Sequence, residues 1–222
     1  MDRHVFHDRR SAGALLGVEV ALAKVGSPVV LGLPRGGVPV AARVAEAIDA
    51  PLDVIVVRKL GVPRQPELAM GAIGENGVVI VNGDVIRSNR VHERDLAKVE
   101  ARERTELNRR LGSLRSVRPH QSLVDRAAVI VDDGIATGAT IRAAIQVARA
   151  YGANDVTVAT PVAPAGVVEM LGSKADRVIC LAQPDPFGSV GRWYRHFDAV
   201  TDAEVLKEMS AAADRATDRD NT

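Results

Sequence analysis

The sequence predicts an α/β fold in which a mostly parallel sheet is flanked by helices. Short apolar runs alternate with segments of helical periodicity along most of the chain, a pattern typical of repeated β-α-β units. The apolar runs are rich in β-branched residues and continuous rather than alternating, as expected for strands buried on both faces. Two of these runs end in glycine-containing loops, and folds of this class bind ligands at the carboxyl ends of their strands.

The first half of the chain predicts one β-α-β unit followed by an insertion. In chain order, the pattern predicts a helix over 9 to 25, a strand over 29 to 33, a helix over 38 to 49 and a strand over 52 to 60. The insertion covers 61 to 118. Within it, the sequence predicts a mobile Gly- and Pro-rich loop over 61 to 70, a hairpin turn at Asn76-Gly77, and a long, peripheral, charged helix over 88 to 114.

The alternation of strands and helices resumes after the insertion. Its predicted elements are a strand over 127 to 133, a helix over 140 to 151, a strand over 156 to 163, a helix over 165 to 172, a strand over 177 to 182, an aromatic-rich coil over 184 to 198 and a helix over 202 to 213. We expect a single domain over 1 to 213 and a frayed tail over 214 to 222, because chain ends are ordered only where contacts tie them down.

Composition and charge exclude several classes of protein. No apolar run approaches the length of a membrane-spanning helix, so we expect no membrane partner. The net charge of +1 provides no general attraction for a polyanion, so we expect no nucleic-acid partner. The start of the chain has no apolar signal region, and the one cysteine, Cys180, has no intrachain partner; both features favour the cytoplasm.

The strongest motif lies between Val129 and Thr140, where an apolar strand is followed by two carboxylates and a Thr-Gly-Ala-Thr turn that opens a helix. Free backbone N–H groups at a helix start, together with the hydroxyls of Thr137 and Thr140, suit one phosphate. Asp132 and Asp133 would accept hydrogen bonds from the vicinal hydroxyls of a sugar, directly or alongside a divalent cation. Phosphate and diol together describe a ribose 5-phosphate. The alternative is a strand-end turn with an aspartate cap.

This stretch resembles the hallmark of the type I phosphoribosyltransferase family. The resemblance implies that the loop binds the 5-phosphate of phosphoribosyl pyrophosphate, that Asp132 and Asp133 contact the ribose hydroxyls, and that these carboxylates hold Mg²⁺ indirectly or through the substrate. The substrate-binding residues that it implies in this loop are Gly134, Ala136, Thr137, Gly138, Ala139 and Thr140. Ala136 stands where hypoxanthine–guanine members carry an acidic residue, so we expect neither hypoxanthine nor guanine as a substrate.

The loop from Leu33 to Gly37 is a second candidate anion site. Taken alone, it fits a structural Gly-Gly turn as well as a binding loop. Opposite a ribose-phosphate site, Gly36 and Gly37 would let backbone amides approach a second anion, and Arg35 can bind phosphate oxygens through its planar guanidinium group. The loop looks like the family's pyrophosphate loop, which often contains a non-proline cis peptide.

Two basic residues, Arg58 and Lys59, stand at the end of a predicted strand and before the predicted mobile loop. They fit a solvated strand end. The same order is similar to the family's catalytic region, in which basic residues face the departing pyrophosphate and the loop closes to exclude water. By that resemblance, Glu67 takes the place of a glutamate that lies near the base in adenine-type members.

Four of the six aromatic residues fall within the coil over 184 to 198. Two interpretations of this cluster are open: a small hydrophobic core beneath a loop, or a wall on which a heterocyclic ring stacks. Members of the family place part of a hood over the nucleobase at this point of the chain. In that case Phe187 and Trp193 would form the wall.

The resemblance as a whole implies a type I phosphoribosyltransferase-like fold with a small hood and a hairpin and long-helix insertion. The chain is most similar to phosphoribosyltransferase-like proteins of unassigned substrate. We expect Mg²⁺-dependent transfer of ribose 5-phosphate to a small heterocyclic base, with release of pyrophosphate. The predicted catalytic residues are Arg35, Lys59, Glu67, Asp132 and Asp133. The alternative is a regulator that binds phosphoribosyl pyrophosphate or a nucleotide without turnover, and the oligomeric state stays open, with a homodimer as one option.

Overall fold

The computed structural model describes residues 5–117 and 119–220, and within these ranges the strands form two sheets. The strands are β1 (Pro28–Gly32), β2 (Leu52–Val54), β3 (Arg58–Val62), β4 (Gln65–Ile73), β5 (Val79–Val81), β6 (Ala127–Val131), β7 (Asp155–Val162) and β8 (Arg177–Ala182). The larger sheet is parallel, in the order β2-β1-β6-β7-β8, and the smaller is antiparallel, in the order β3-β4-β5. The predicted fold class is confirmed.

Helices cover both faces of the larger sheet. They are α1 (Arg9–Leu22), α2 (Gly37–Ala47), α3 (Gly83–Ser88), α4 (Glu93–Val117), α5 (Ala139–Ala150), α6 (Ala165–Gly172) and α7 (Asp202–Asp220), with a 3₁₀ turn at Val190–Trp193. Successive side chains of β1 face opposite cores: Val29 and Leu31 pack with residues of α5 and α6, and Val30 packs with residues of α1 and α2. Because the parallel strands are buried on both faces of the sheet, their sequences are continuously apolar rather than alternating.

The apolar run over 52 to 60 is not one strand, and that prediction is wrong. β2 ends at Val54, and β3 begins at Arg58 in the other sheet. Between them, Ile55 and Val56 are both buried, but in different cores: Ile55 in the core beneath α5 and Val56 in the core beneath α4. A segment that crosses between two cores has the same apolar pattern as a buried strand, so periodicity could not separate the two cases.

The predicted mobile loop over 61 to 70 is also wrong, because these residues form the hairpin of β3 and β4. The strand pairing shifts register around Gly61, and a Cβ atom at that position would overlap the backbone carbonyl of Pro66. This glycine therefore allows a β-bulge rather than marking a loop. The next hairpin turn is confirmed: Asn76 and Gly77 have φ values of +54° and +78°, as a type I′ turn requires.

The helix predicted over 88 to 114 begins only at Glu93, where α4 starts, and α4 runs on to Val117; the short helix α3 precedes this stretch and ends at Ser88. The apolar stripe of α4, which includes Leu107 and Leu111, packs on the smaller sheet and on Met209 of α7. The last helix continues to Asp220, so most of the predicted frayed tail is helical, and residues 221–222 lie outside the described part of the chain. No helix among the described residues is both long and apolar enough to cross a membrane.

A buried ionic cluster fixes the end of α4 to both sheets. Nη1 of Arg115 donates to Oδ1 of Asp53 at 2.7 Å, and Nε of Arg115 donates to Oε2 of Glu75 at 2.8 Å. Nδ1 of His120 lies 3.3 Å from Oε1 of Glu75. The other carboxylate oxygen of Asp53 accepts a hydrogen bond from the backbone N–H of Gln121, at 2.8 Å. Asp53 and Glu75 are almost fully buried. Removing one of these partners would therefore leave a buried carboxylate without compensation, which is strongly destabilising.

The pKa of Glu75 makes this cluster testable. Burial alone would raise that pKa, but hydrogen bonds from His120 and Arg115 hold it at about 2, below the ordinary value of 4.5. A carboxyl group whose pKa is lowered by folding stabilises the folded state above its unfolded pKa, and that contribution is lost as the pH falls from 4.5 toward 2. We expect Glu75→Gln to lower the free energy of unfolding by about 2 kcal/mol at pH 7 and to flatten its dependence on pH in that window, as measured by urea denaturation.

The matched control is Glu106→Gln. Hydrogen bonds from Arg109 and Arg110 also hold the pKa of Glu106 at about 2, but this carboxylate lies on the solvent side of α4. Because surface ion pairs contribute little to stability, we expect this variant to unfold almost like the parent. Equal losses in the two variants would contradict a special role for the buried cluster.

Candidate functional site

The two glycine-containing loops meet at the carboxyl edge of the parallel sheet. β1 and β6 are neighbours in the sheet, so the loops that follow them lie side by side. A Cβ atom at Gly36 would overlap Oδ2 of Asp133, and one at Gly37 would lie 2.6 Å from the carbonyl oxygen of Val131. Only glycine permits this approach. The Pro34–Arg35 peptide is cis, as the family resemblance implies.

The two carboxylates at the end of β6 share a desolvated environment. Burial, and after it the charge of Asp133, raises the pKa of Asp132 well above its ordinary value. Burial also raises the pKa of Asp133, although the hydrogen bond from Arg9 acts in the opposite direction. Two partly buried neighbouring carboxylates are costly to keep charged, so this pair is suited to a ligand that donates hydrogen bonds or brings positive charge.

Arg9 is a site residue that the sequence analysis missed. Its Nε donates to Oδ2 of Asp133 at 2.7 Å, and its Nη1 donates to the carbonyl of Asp198 at 2.7 Å. The guanidinium group lies 3.8 Å from the centre of the Phe197 ring, in the geometry of a cation–π contact. Asp8 caps α1 and thereby sets Arg9 in the first helical turn. No local pattern marks this arginine, because its partner is 124 residues away.

The predicted phosphate loop forms the start of α5. Gly138 has a φ of +72°, a left-handed conformation that favours glycine, and no side chain caps the helix behind it. Ala136, Thr137 and Thr140 are exposed. The N–H groups at the positive end of the α5 dipole, with two hydroxyls beside them, have the chemistry of an anion site, and the N–H of Ala139 lies 3.5 Å from Oγ1 of Thr137. Ala139 is the first residue of the helix.

The basic residues predicted to face pyrophosphate lie in two adjoining cavities. Arg58 and Lys59 line a cleft of about 570 Å³ between the β3–β4 hairpin, α4 and α5. Arg35 lines a cavity of about 220 Å³ beside it and lies 3.8 Å from Asp202. Pro34 lines both. Glu67 belongs to β4, and its side chain lies outside what the structure describes.

The aromatic residues pack as a small core. Phe187 and Trp193 are half-buried against Phe6 and Tyr194, and the indole N–H of Trp193 donates to the carbonyl of Phe187 at 3.0 Å. This packing fits the structural interpretation, and the role of the two residues as a ring wall stays a prediction.

The same segment touches the acidic pair. The hydroxyl of Tyr194 donates to the carbonyl of Asp133 at 2.5 Å. A Cβ atom at Gly134 would overlap the side chain of Val190, which begins the 3₁₀ turn. The structure therefore brings the predicted hood segment directly onto the end of β6.

The acidic pair fits a magnesium ion that is shared with a substrate. Asp132 and Asp133 offer carboxylate oxygens, which Mg²⁺ prefers, and a cation beside them would offset the desolvation that raises their pKa values. Among residues 5–117 and 119–220, no group of three or more His, Cys, Asp and Glu is arranged to hold a metal ion. Such an ion would take its remaining ligands from substrate and water.

Comparisons with known proteins point to one family. The family model described as "Phosphoribosyl transferase domain" matches residues 23–190. Two Mycobacterium tuberculosis proteins, each named "Putative phosphoribosyl transferase", are 51% identical over 208 residues, which is 94% of this chain. The chain spans about half of their length, 47%. The crystal structure of TT1426 from Thermus thermophilus matches with a TM-score of 0.88 and 43% identity, and the match covers 93% of this chain and 98% of that one. The chain belongs to the phosphoribosyl transferase family.

Proposed function

We propose that the protein transfers ribose 5-phosphate from phosphoribosyl pyrophosphate to a ring nitrogen of a small heterocyclic base, with release of pyrophosphate and with Mg²⁺. The observation that carries this proposal is the contact between the two loops. Gly36 and Gly37 let the backbone of the loop after β1 lie against Asp132 and Asp133, so a diphosphate on one loop and a ribose diol on the other would be adjacent, as they are in that substrate.

Each part of the site has one task in the proposed reaction. The start of α5, with Thr137 and Thr140, would bind the 5-phosphate, and the acidic pair would accept hydrogen bonds from the ribose hydroxyls. The backbone N–H of Gly36, with Arg35 and Lys59, would stabilise the charge that develops on the leaving diphosphate. Mg²⁺, when bound, would neutralise part of the same charge. In the transfer, the bond between C1 and the diphosphate oxygen breaks, a bond from C1 to the ring nitrogen forms, and a proton carried by that nitrogen passes to the departing diphosphate.

The experiment that tests the proposal is a screen of purine, pyrimidine and pyridine bases for pyrophosphate release from phosphoribosyl pyrophosphate in Mg²⁺. We expect release with one class of base and none with the Asp132→Asn, Asp133→Asn double variant, which should keep its fold because the pair lies at a strand end. Calorimetry on both proteins measures binding of the donor separately. Donor binding without release for any base would favour the regulator, and undiminished donor binding by the folded double variant would contradict the site.

The basic residues should act on the leaving group. We expect Lys59→Ala or Arg35→Ala to lower kcat more than it raises KM, by about two to three orders of magnitude, which is the loss typical of removing one transition-state stabiliser. Steady-state kinetics measures this split. Lys174→Ala, at an exposed lysine beyond α6, is the control and should leave both constants near those of the parent. A change in KM alone would assign Lys59 and Arg35 to ground-state binding.

Arg9 should position Asp133. We expect Arg9→Met to weaken donor binding in Mg²⁺ by about 10- to 100-fold, the range seen when a supporting partner of a ligating group is removed, and we expect Arg9→Lys to recover part of it. Arg10→Met is the matched control, because Arg10 pairs with Glu208, which keeps Arg43 as a second partner. If calorimetry finds the same affinity for the Arg9→Met and Arg10→Met proteins, Arg9 has no positioning role.

A further inference from the structure

The insertion helix α4 brings one arginine to the point where the two cavities of the candidate site adjoin. Arg110 lines both the cleft of about 570 Å³ that contains Lys59 and the cavity of about 220 Å³ that contains Arg35. Pro34, in the loop after β1, also lines both. A diphosphate that contacts both Lys59 and Arg35 would therefore pass beside Arg110.

The lining of the cleft carries an excess of positive charge. Arg58 and Arg102 both donate to Glu103, at 2.8 Å and 2.9 Å. Among the described residues, the charged side chains of the lining are this one carboxylate and four cations, Arg58, Lys59, Arg102 and Arg110. A concave surface with such an excess attracts anions, and a diphosphate keeps negative charge even when a divalent cation is bound to it.

Arg110 is only partly neutralised by its partner on α4. Its Nε donates to Oε1 of Glu106 at 3.0 Å, and Nη2 of Arg109 donates to the same oxygen at 2.8 Å. Two guanidinium groups thus share one carboxylate. Because the contact engages Nε of Arg110, its pair of Nη groups can donate to a second oxyanion.

The backbone of α4 around Arg110 is held in place by buried contacts. Leu107 and Leu111, which flank this arginine, are buried in the core that α4 shares with the smaller sheet. Further along the helix, Arg115 is held by Asp53 and Glu75 in the buried ionic cluster. A cation carried by a fixed element can stabilise charge on a ligand without a cost of reorganisation during the reaction.

We propose that Arg110 binds the diphosphate, first as part of the donor and then as the leaving group, so that the insertion supplies a catalytic cation to the transfer. The proposal rests on the proposed function, because it adds a residue to the same reaction. The bonds that break and form are those of that transfer, and Arg110 gives up no proton. A planar guanidinium group suits this task because it binds phosphate oxygens in pairs.

Calorimetry with three ligands tests the proposal on the full chain. Phosphoribosyl pyrophosphate and inorganic pyrophosphate, each with Mg²⁺, carry a diphosphate, and ribose 5-phosphate does not. We expect Arg110→Ala to weaken binding of the first two by about 10- to 100-fold, the loss typical of a hydrogen bond to a charged group. Binding of ribose 5-phosphate should change by less than twofold. Arg110→Lys, which keeps the charge but not the paired N–H groups, should recover part of the loss.

Arg104→Ala is the matched control. Arg104 lies on the same helix and pairs with Glu100 at i−4, as Arg110 pairs with Glu106, but it lines neither of the two cavities. We expect it to change the affinity for each of the three ligands by less than twofold. Arg110 is 41% exposed, so its loss should leave the melting temperature near that of the parent.

Four results would overturn the proposal. They are a parent that binds no pyrophosphate, an Arg110→Ala protein that binds pyrophosphate as the parent does, equal losses in the Arg110→Ala and Arg104→Ala proteins, and an Arg110→Ala protein that loses as much affinity for ribose 5-phosphate as for pyrophosphate.

Titration of the parent with phosphoribosyl pyrophosphate distinguishes this failure from that of the proposed function. A parent that binds the donor equally well with and without Arg110 retains the proposed function and loses only this assignment. A parent that binds pyrophosphate through Arg110 but does not bind phosphoribosyl pyrophosphate keeps the diphosphate site and loses the proposed transfer.

Discussion

The carboxylates of Asp132 and Asp133 lie side by side at the poorly solvated end of the central strand β6. Negative charge at such a position destabilises the fold unless a positive charge or hydrogen-bond donors balance it. Arg9 supplies a cation from the first helix to Asp133. The loop that follows β1 approaches from the other side so closely that Gly36 and Gly37 have no room for a side chain. The first helix, the β1 loop and the end of β6 are therefore held together at one point, and the remaining parts of the site are arranged around the acidic pair.

The insertion contributes to the site through a different constraint. Arg115, at the end of α4, is held between Asp53 of the parallel sheet and Glu75 of the hairpin turn. Because these charges are buried, each must keep its partner, and the ion pairs fix the position of the helix on the two sheets. Apolar contacts alone would be less specific. The same helix then carries Arg102 and Arg110 to the cleft. A helix whose sequence resembles a solvated surface is in this way fixed beside the candidate site.

Two predictions from the sequence were wrong for the same physical reason. The same local sequence pattern can arise in two different tertiary environments. Ile55 and Val56 are apolar because each enters a different core, and not because they continue a strand. Gly61 is required where a strand bulges against Pro66, and not in a mobile loop. Local turn chemistry that has one origin, such as Asn76-Gly77 with both φ angles positive, was predicted correctly.

The sequence by itself determined the alternation of strands and helices and the order of the motifs, since the apolar period, the turn residues and the run from Asp132 to Thr140 are local properties. It also predicted that the two glycine loops lie at one edge, because parallel strands place their carboxyl ends together. Only the tertiary structure decided which cation meets Asp133, which cavity each of Arg35 and Lys59 lines, and that α4 forms a wall of the cleft. Those contacts join residues far apart in the chain. Neither the hydrophobic period nor the composition of the sequence around one residue indicates which distant residue it contacts.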